Sequence, residues 1–179
     1  MIRNTTPFRL AIISTGGTIE KTYSELGGVL SNETSVLDVM LSQLELGGLE
    51  VFRIPLMNKD SMDMTPDDHE RIAEQVGVEA ERRDGVVIVH GTDRLVDTGQ
   101  HICRRLATPA VPVVLTGAMR PFELRRTDAM QNLTEALMAV QLLEPGVWCV
   151  MHNRALRFPG VRKDRELMTF VPADASEIT

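Results

Sequence analysis

Apolar residues recur along this chain in two rhythms. Five short stretches, 9–14 (RLAIIS), 49–55 (LEVFRIP), 85–90 (GVVIVH), 112–116 (PVVLT) and 147–152 (VWCVMH), are mostly near-continuous runs of Val, Ile and Leu. Runs of that length predict strands covered on both faces, as in a parallel sheet, rather than strands with one wet face. The segments between them carry helical spacing. Residues 35–46 align Val36, Leu37, Met40, Leu41 and Leu44, with Ser35 and Asp38 spaced as a capping box. Thr65, Pro66, Asp67 and Asp68 supply an N-cap, a first-turn proline and two acids, opening a helix to about residue 83 that turns Ile72, Val76 and Ala80 inward. Further helices are predicted over 95–106 (Leu95, Gly99, Ile102 and Leu106 on one face) and 127–143 (Met130, Leu133, Leu137 and Val140). Thr108-Pro109 and Glu144-Pro145-Gly146 stop these two. Alternating strands and helices predict an α/β fold: one domain over residues 1–179, with a doubly wound, mainly parallel sheet and helices on both faces. Such sheets bind ligands beyond the carboxyl ends of their strands, so the chemistry is expected in the loops that follow each strand.

Composition narrows the function classes. A chain of 179 residues, 43% hydrophobic and 25% charged, has the make-up of a globular domain. No apolar run approaches the ~20 residues of a membrane span, and residues 10–13 are too short a core for a signal peptide. The two cysteines, Cys103 and Cys149, fall in a predicted helix and a predicted strand, so a reduced cytoplasmic protein is expected. The net charge of −6, with no block of Lys or Arg, argues against nucleic acid as a partner. Metal-ligand spacings such as H-E-x-x-H are absent, as is G-x-G-x-x-G, so neither a metal nor another cofactor is expected. Met40, Met130 and Met138 stand at helical spacing and read as core filler.

Each loop, taken singly, has an ordinary and a chemical reading. After the first strand comes Ser14-Thr15-Gly16-Gly17-Thr18-Ile19, either a strand-end turn or a place where backbone meets a ligand closely. The second strand leads into the polar run from Asn58 to Met64, which also reads as a solvated loop. The third ends in His90-Gly91-Thr92-Asp93, where Thr and Asp suit a helix cap as well as a hydroxyl-carboxylate pair. His90 itself reads as a hydrogen-bonded core or rim residue rather than a general base. The fourth leads to Gly117-Ala118-Met119-Arg120-Pro121 and a charged stretch, 123–128, that reads as solvated. Beyond the fifth lie Arg157, Arg162 and Arg165, read as surface charges, and Lys163. Only three lysines exist, Lys21, Lys59 and Lys163; Lys59 is expected to be solvated.

In combination the loops carry more. T-G-G-T-I, S-x-D-M, H-G-T-D and G-A-M-R-P follow successive strands, and V-x-K follows the last. In this order the chain resembles the bacterial L-asparaginase family from about residue 9 to residue 170. The resemblance implies a threonine nucleophile, for which it suggests Thr15, with Tyr23 in a closing loop that helps activate it. It implies a Thr92, Lys163 and Asp93 constellation, Ser61 at the substrate α-carboxylate, Asp93 also at the α-ammonium, and the backbone around Ala118 beside the amide. Gly16 and Asp60 join these as substrate-binding positions. A hydroxyl becomes an effective nucleophile when a neighbouring base takes its proton, the task implied for Lys163.

The chain departs from the family pattern in two ways. Most members carry a further C-terminal domain, so a short, single-domain form is expected here. A glutamine often follows the serine, where this chain has Met62. The implied reaction is hydrolysis of L-asparagine to L-aspartate and ammonia without cofactor, by a homo-oligomer, either a dimer or a tetramer. The alternatives are a non-catalytic amino-acid-binding domain, a glutaminase-asparaginase of broader specificity, and the amidase part of a transamidation machine for tRNA charging.

Overall fold

The computed structural model describes residues 6–32 and 35–174. Its centre is a six-stranded sheet in the order β4-β1-β5-β6-β7-β8. The strands are β1 (Phe8–Gly16), β4 (Leu49–Lys59), β5 (Gly85–Val89), β6 (Pro112–Thr116), β7 (Gly146–Met151) and β8 (Arg154–Arg157). The first five in that order are parallel and β8 is antiparallel. This is the doubly wound, mainly parallel architecture the apolar runs predict.

Side chains alternate across a strand, which divides the core in two. Ala11 and Ile13 of β1, with Val86 and Ile88 of β5, face α2 (Pro66–Ala80) and α3 (Leu95–Leu106), meeting Ile72, Val76, Leu95 and Ile102. Leu10 and Ile12, with Val87 and Val89, face α1 (Leu37–Ser42) and α4 (Ala129–Ala139), meeting Leu37, Met40, Leu133 and Leu137. Each such side chain removed from water contributes about 1.5–3 kcal/mol, which is why the central strands need no polar alternation. Helix α2 starts as its sequence dictates: the Thr65 hydroxyl accepts from the Asp68 N–H, and the Asp68 carboxylate accepts from the Thr65 N–H. Helix α3 lies close to the sheet edge at Gly99, where a Cβ would come within 2.3 Å of the Phe158 ring.

Several expectations are corrected. The expected capping box on α1 does not form; Ser35 instead donates to Glu20, and Asp38 pairs with Arg53 at 2.8 Å. That helix is six residues long rather than twelve, and α4 stops at Ala139. Met40 is core and Met130 packs against it, but Met138 is exposed. Lys59 is ion-paired, reaching both oxygens of the buried Asp68 at 2.9 Å. Two short hairpins carry no apolar run and escape prediction: β2 (Thr22–Ser24) with β3 (Val29–Ser31), and β9 (Val161–Asp164) with β10 (Thr169–Pro172).

Strand β1 lies between β4 and β5, so the chain reverses its direction of growth across the sheet at the β1/β5 junction. That is the switch point, and the loops following β1 and β5 open there.

Candidate active site

Glycines bring the strand-end loops into contact. Gly16 and Gly17 have φ of +94° and +82°, conformations that L side chains rarely adopt. A Cβ on Gly17 would lie 2.3 Å from the Gly91 Cα, and one on Gly91 would lie 2.5 Å from the Ser61 Oγ. The loops after β1, β4 and β5 therefore touch backbone to backbone or backbone to side chain, and no bulkier residue fits.

Above this contact lies a cleft of about 370 Å³ lined by Thr18, Thr92, Asp93, Met119, Lys163, Arg165 and Met168. Lys163, on β9, donates to the Thr92 hydroxyl at 2.8 Å and to the Asp93 carboxylate at 2.9 Å, with its side chain only 14% exposed. An amine thus contacts a hydroxyl in a partly water-excluded corner, the arrangement that proton transfer requires. Larger hollows exist beside the end of α3 and along α4, about 540 and 860 Å³, but no lysine lines either.

The structure does not bring every expected residue to this cleft. Thr15 is fully buried, and its hydroxyl donates to the Val89 carbonyl at 3.0 Å, locking β1 to β5. The side chain that reaches the cleft from this loop is Thr18, at the start of the short 3-10 turn Thr18–Glu20, and among the described residues no hydrogen bond engages its hydroxyl. The missed signal was the glycine pair. The chain turns at the two positive-φ residues, so the threonine after them faces out and the one before them remains in the strand.

Ser61 and Ala118 are buried beneath the cleft, Ser61 against Gly91 and Ala118 in the core. Gly16 is also buried, its N–H donating to Glu20 at 3.2 Å. Asp60 lies outside, paired with Lys21 at 2.6 Å and capping the turn Ser61–Asp63. Tyr23 sits on the β2–β3 hairpin with its ring exposed; its backbone N–H donates to Glu123. Met119 and Met168 are cleft residues that sequence reasoning passed over, and Arg165, read from the sequence as a surface charge, also lines the cleft.

Two buried networks hold the loops. Behind Thr92, His90 uses Nδ1–H to donate to the Gly91 carbonyl at 2.8 Å. Its Nε2 then accepts from the Thr98 hydroxyl at 2.8 Å, and Thr98 accepts from His69 Nδ1 at 2.7 Å. Complete burial lowers the His90 pKa to about 4, so the ring is neutral and structural. Behind Met119, Asp128 accepts from the N–H groups of Met119 and Arg120 at 2.9 and 3.0 Å, from Asn132 at 2.9 Å and from His152 at 2.8 Å. Burial pushes this carboxyl up, but the donated bonds outweigh it and hold it below the usual carboxylate range. The stretch 123–128 was expected to be solvated; its last residue is instead a buried anchor, 4% exposed.

A family model for the N-terminal part of asparaginase matches residues 9–169. The chain belongs to the asparaginase family. Among asparaginase-family proteins, it is 29% identical to an L-asparaginase of Thermococcus kodakarensis, covering 89% of this chain and 48% of that protein. L-asparaginase 1 of Escherichia coli K12 is 35% identical over 69% of this chain and 37% of its own length. A glutamyl-tRNA(Gln) amidotransferase subunit of Haloquadratum walsbyi is 33% identical over 80% of this chain and 33% of its own length. The solved structure of the thermostable T. kodakarensis asparaginase superposes with a TM-score of 0.81, at 29% identity, covering 92% of this chain and 51% of that one. The chain thus spans about half or less of the length of these relatives. It is an asparaginase-family domain, and among the described residues no helix is long and apolar enough to cross a membrane.

Proposed function

We propose that this domain hydrolyses the side-chain amide of L-asparagine, giving L-aspartate and ammonia, with Thr18 rather than Thr15 as the attacking hydroxyl. The observation that carries the reading is the Lys163 amine held on Thr92 and Asp93 in the cleft that Thr18 also lines. Thr18 Oγ attacks the amide carbon as its proton passes to Lys163 through the Thr92 hydroxyl. The tetrahedral intermediate expels ammonia, which takes a proton as the C–N bond breaks, and leaves an acyl ester on Thr18. Water, deprotonated by the same relay, then cleaves the ester and restores the threonine. The ammonium group of the substrate pairs with Asp93, whose Oδ1 serves Lys163. Ser61 and Gly91 act from beneath, fixing the floor on which Thr92 and Asp93 stand. Tyr23 closes over the bound amide through movement of its hairpin, and chains associate as homo-oligomers around the open cleft.

Ammonia release from L-asparagine and L-glutamine, measured in parallel, tests the reading. Asparagine should be turned over, and Lys163→Met should lower the rate by about 10²–10⁴. One extra methylene is discriminated by only about 1–3 kcal/mol, so slower glutamine turnover is expected. An inactive protein, or full activity in Lys163→Met, overturns the assignment. The similarity to the amidotransferase favours a second reading, in which the ammonia feeds a transamidation. Amide hydrolysis that appears only with a partner protein and tRNA would select that reading. Thermal stabilisation by asparagine without hydrolysis would select a pure binding domain.

A further inference from the structure

At the opposite end of the sheet from the cleft, a hollow of about 540 Å³ lies where α3 ends and β7 begins. That volume is typical of small-molecule sites, which run to roughly 300–1,000 Å³. Two arginines, Arg104 and Arg157, line it, and no Asp or Glu does. The chain as a whole carries a net charge of −6, so this concentration of positive charge runs against its average. Among the described residues neither guanidinium has a carboxylate partner, and the side chains of Gln100 and Thr108, which also line the hollow, make no hydrogen bond.

Local structure brings these groups together. Gln100, Cys103, Arg104 and Ala107 stand at i, i+3, i+4 and i+7 along α3 and its cap, a face beside the core stripe of Leu95 and Ile102. Ala107, with φ of +53°, ends the helix, and Thr108 and Pro109 continue the wall. On the other side, Arg157 of β8 pairs in register with Trp148 of β7, and its Cζ lies 5.4 Å from the indole ring. The guanidinium stands over bare backbone: a Cβ on Gly146 would come 3.4 Å from its Nε and Nη2. Burial raises the pKa of the Cys103 thiol, while the charges of Arg104 and Arg157 act on it in the opposite sense. The two cations therefore converge on one sulfur. Val147, Phe158 and Pro159 add apolar surface.

Guanidiniums with free donors match an oxyanion, because each offers a planar fork of N–H groups to a phosphate or a carboxylate. Apolar walls beside them favour a ligand with a hydrophobic body rather than a bare ion. We propose that this hollow is a second ligand site, separate from the cleft, that takes a small organic anion, with its phosphate or carboxylate head between Arg104 and Arg157 and its apolar body against Val147, Phe158 and Pro159. Helix α3, 12 residues or about 18 Å long, starts just after Thr92 and Asp93 and ends at the hollow. No residue of the hollow lines the cleft, so the site does not depend on the amide-hydrolase reading.

Calorimetric titration of the full chain with phenyl phosphate, benzoate, inorganic phosphate and benzyl alcohol tests it. The better of phenyl phosphate and benzoate should bind at least about tenfold more tightly than inorganic phosphate, which lacks the body, or benzyl alcohol, which lacks the charge. Which of the two is better tells a phosphate site from a carboxylate site. The double variant Arg104→Met, Arg157→Met should weaken that probe at least about tenfold, the double Lys variant should keep part of the affinity, and Lys163→Met should leave it unchanged. Cys103 gives a second readout, because Cys149 is buried. Saturating probe should slow alkylation of Cys103 by N-ethylmaleimide at least about threefold in the wild type and not in the double Met variant, with Cys103→Ser identifying the labelled thiol. No saturable binding at millimolar concentrations, equal affinity in the double Met variant, an unshielded Cys103, or loss of binding in Lys163→Met overturns the site. Both arginines are exposed, so the variants keep the packing of the core, and thermal unfolding confirms that they are folded.

Discussion

Two threonines three residues apart share one loop and have opposite situations. Thr15 is sealed between β1 and β5 with its proton given to the Val89 carbonyl; Thr18, just past the glycine pair, faces the cleft with its hydroxyl unengaged. A hydroxyl already donating in a buried site is a structural tie, because freeing it leaves a carbonyl without its donor. A hydroxyl that lines a cleft with no partner of its own is free to meet a bound molecule. The comparison teaches that residue type and motif membership do not fix a side chain's surroundings; the direction in which the backbone points it does.

The largest expected effects would break this comparison outright. Thr18→Ala should reduce ammonia release from asparagine by at least about 10³-fold, whereas Thr15→Val should keep kcat within about fivefold. The reverse order in steady-state kinetics would return the attacking role to Thr15. Next in size is Gly17→Ala. Its Cβ would meet Gly91 and its φ of +82° is unfavourable for alanine, so the variant should lose more than about 1 kcal/mol in urea unfolding and misplace both Thr18 and Thr92. An unchanged midpoint would show that the loops can part. Thr15→Val should cost about 1–3 kcal/mol by the same measurement, as befits a lost buried hydrogen bond.

A last effect, absent at neutral pH and spread over the acid range, sharpens the contrast between the neutral support behind Thr92 and the charged one behind Met119. His90 takes up a proton below about 4 in the folded chain but at its ordinary value near 6.5 when unfolded. The unfolded state therefore binds more protons between those values, and stability falls as the pH drops from about 6.5 to about 4. This contribution is on the order of 3 kcal/mol across the window. The buried Glu20, raised by its burial, acts in the opposite sense, favouring the folded state towards low pH. The Asp128 carboxyl, held low, contributes stability above its ordinary range that is lost only in stronger acid. Urea midpoints measured from pH 7 to pH 4 should fall less steeply in His90→Asn than in the wild type. Identical slopes would show that His90 is not buried as a neutral ring.

Much of this was legible in the sequence. Strands β1, β5, β6 and β7 announce themselves because burial on both faces demands uninterrupted apolar runs, the edge strand β4 is half-buried and shows a broken run, and α2 is legible because Thr65, Pro66 and Asp68 cap it locally. The hairpins β2–β3 and β9–β10 were not legible. Their strands are three or four residues long, and β9, with Arg162, Lys163 and Asp164, has no pattern that periodicity could detect. Asp128 was misread for a related reason: a charged residue looks solvated until a distant segment supplies its partner, here His152.

The sequence by itself determined the class of fold and the loops in which chemistry would sit, because alternation and capping are local properties of the chain; the grouping of Thr92, Asp93 and Lys163 came only with the family resemblance that the order of the motifs carries. The tertiary structure alone decided the strand order, which threonine meets the cleft, and that Arg165 stands opposite Asp93. Those depend on distances between residues far apart in sequence and on the sign of φ at two glycines, and neither is written in any single segment.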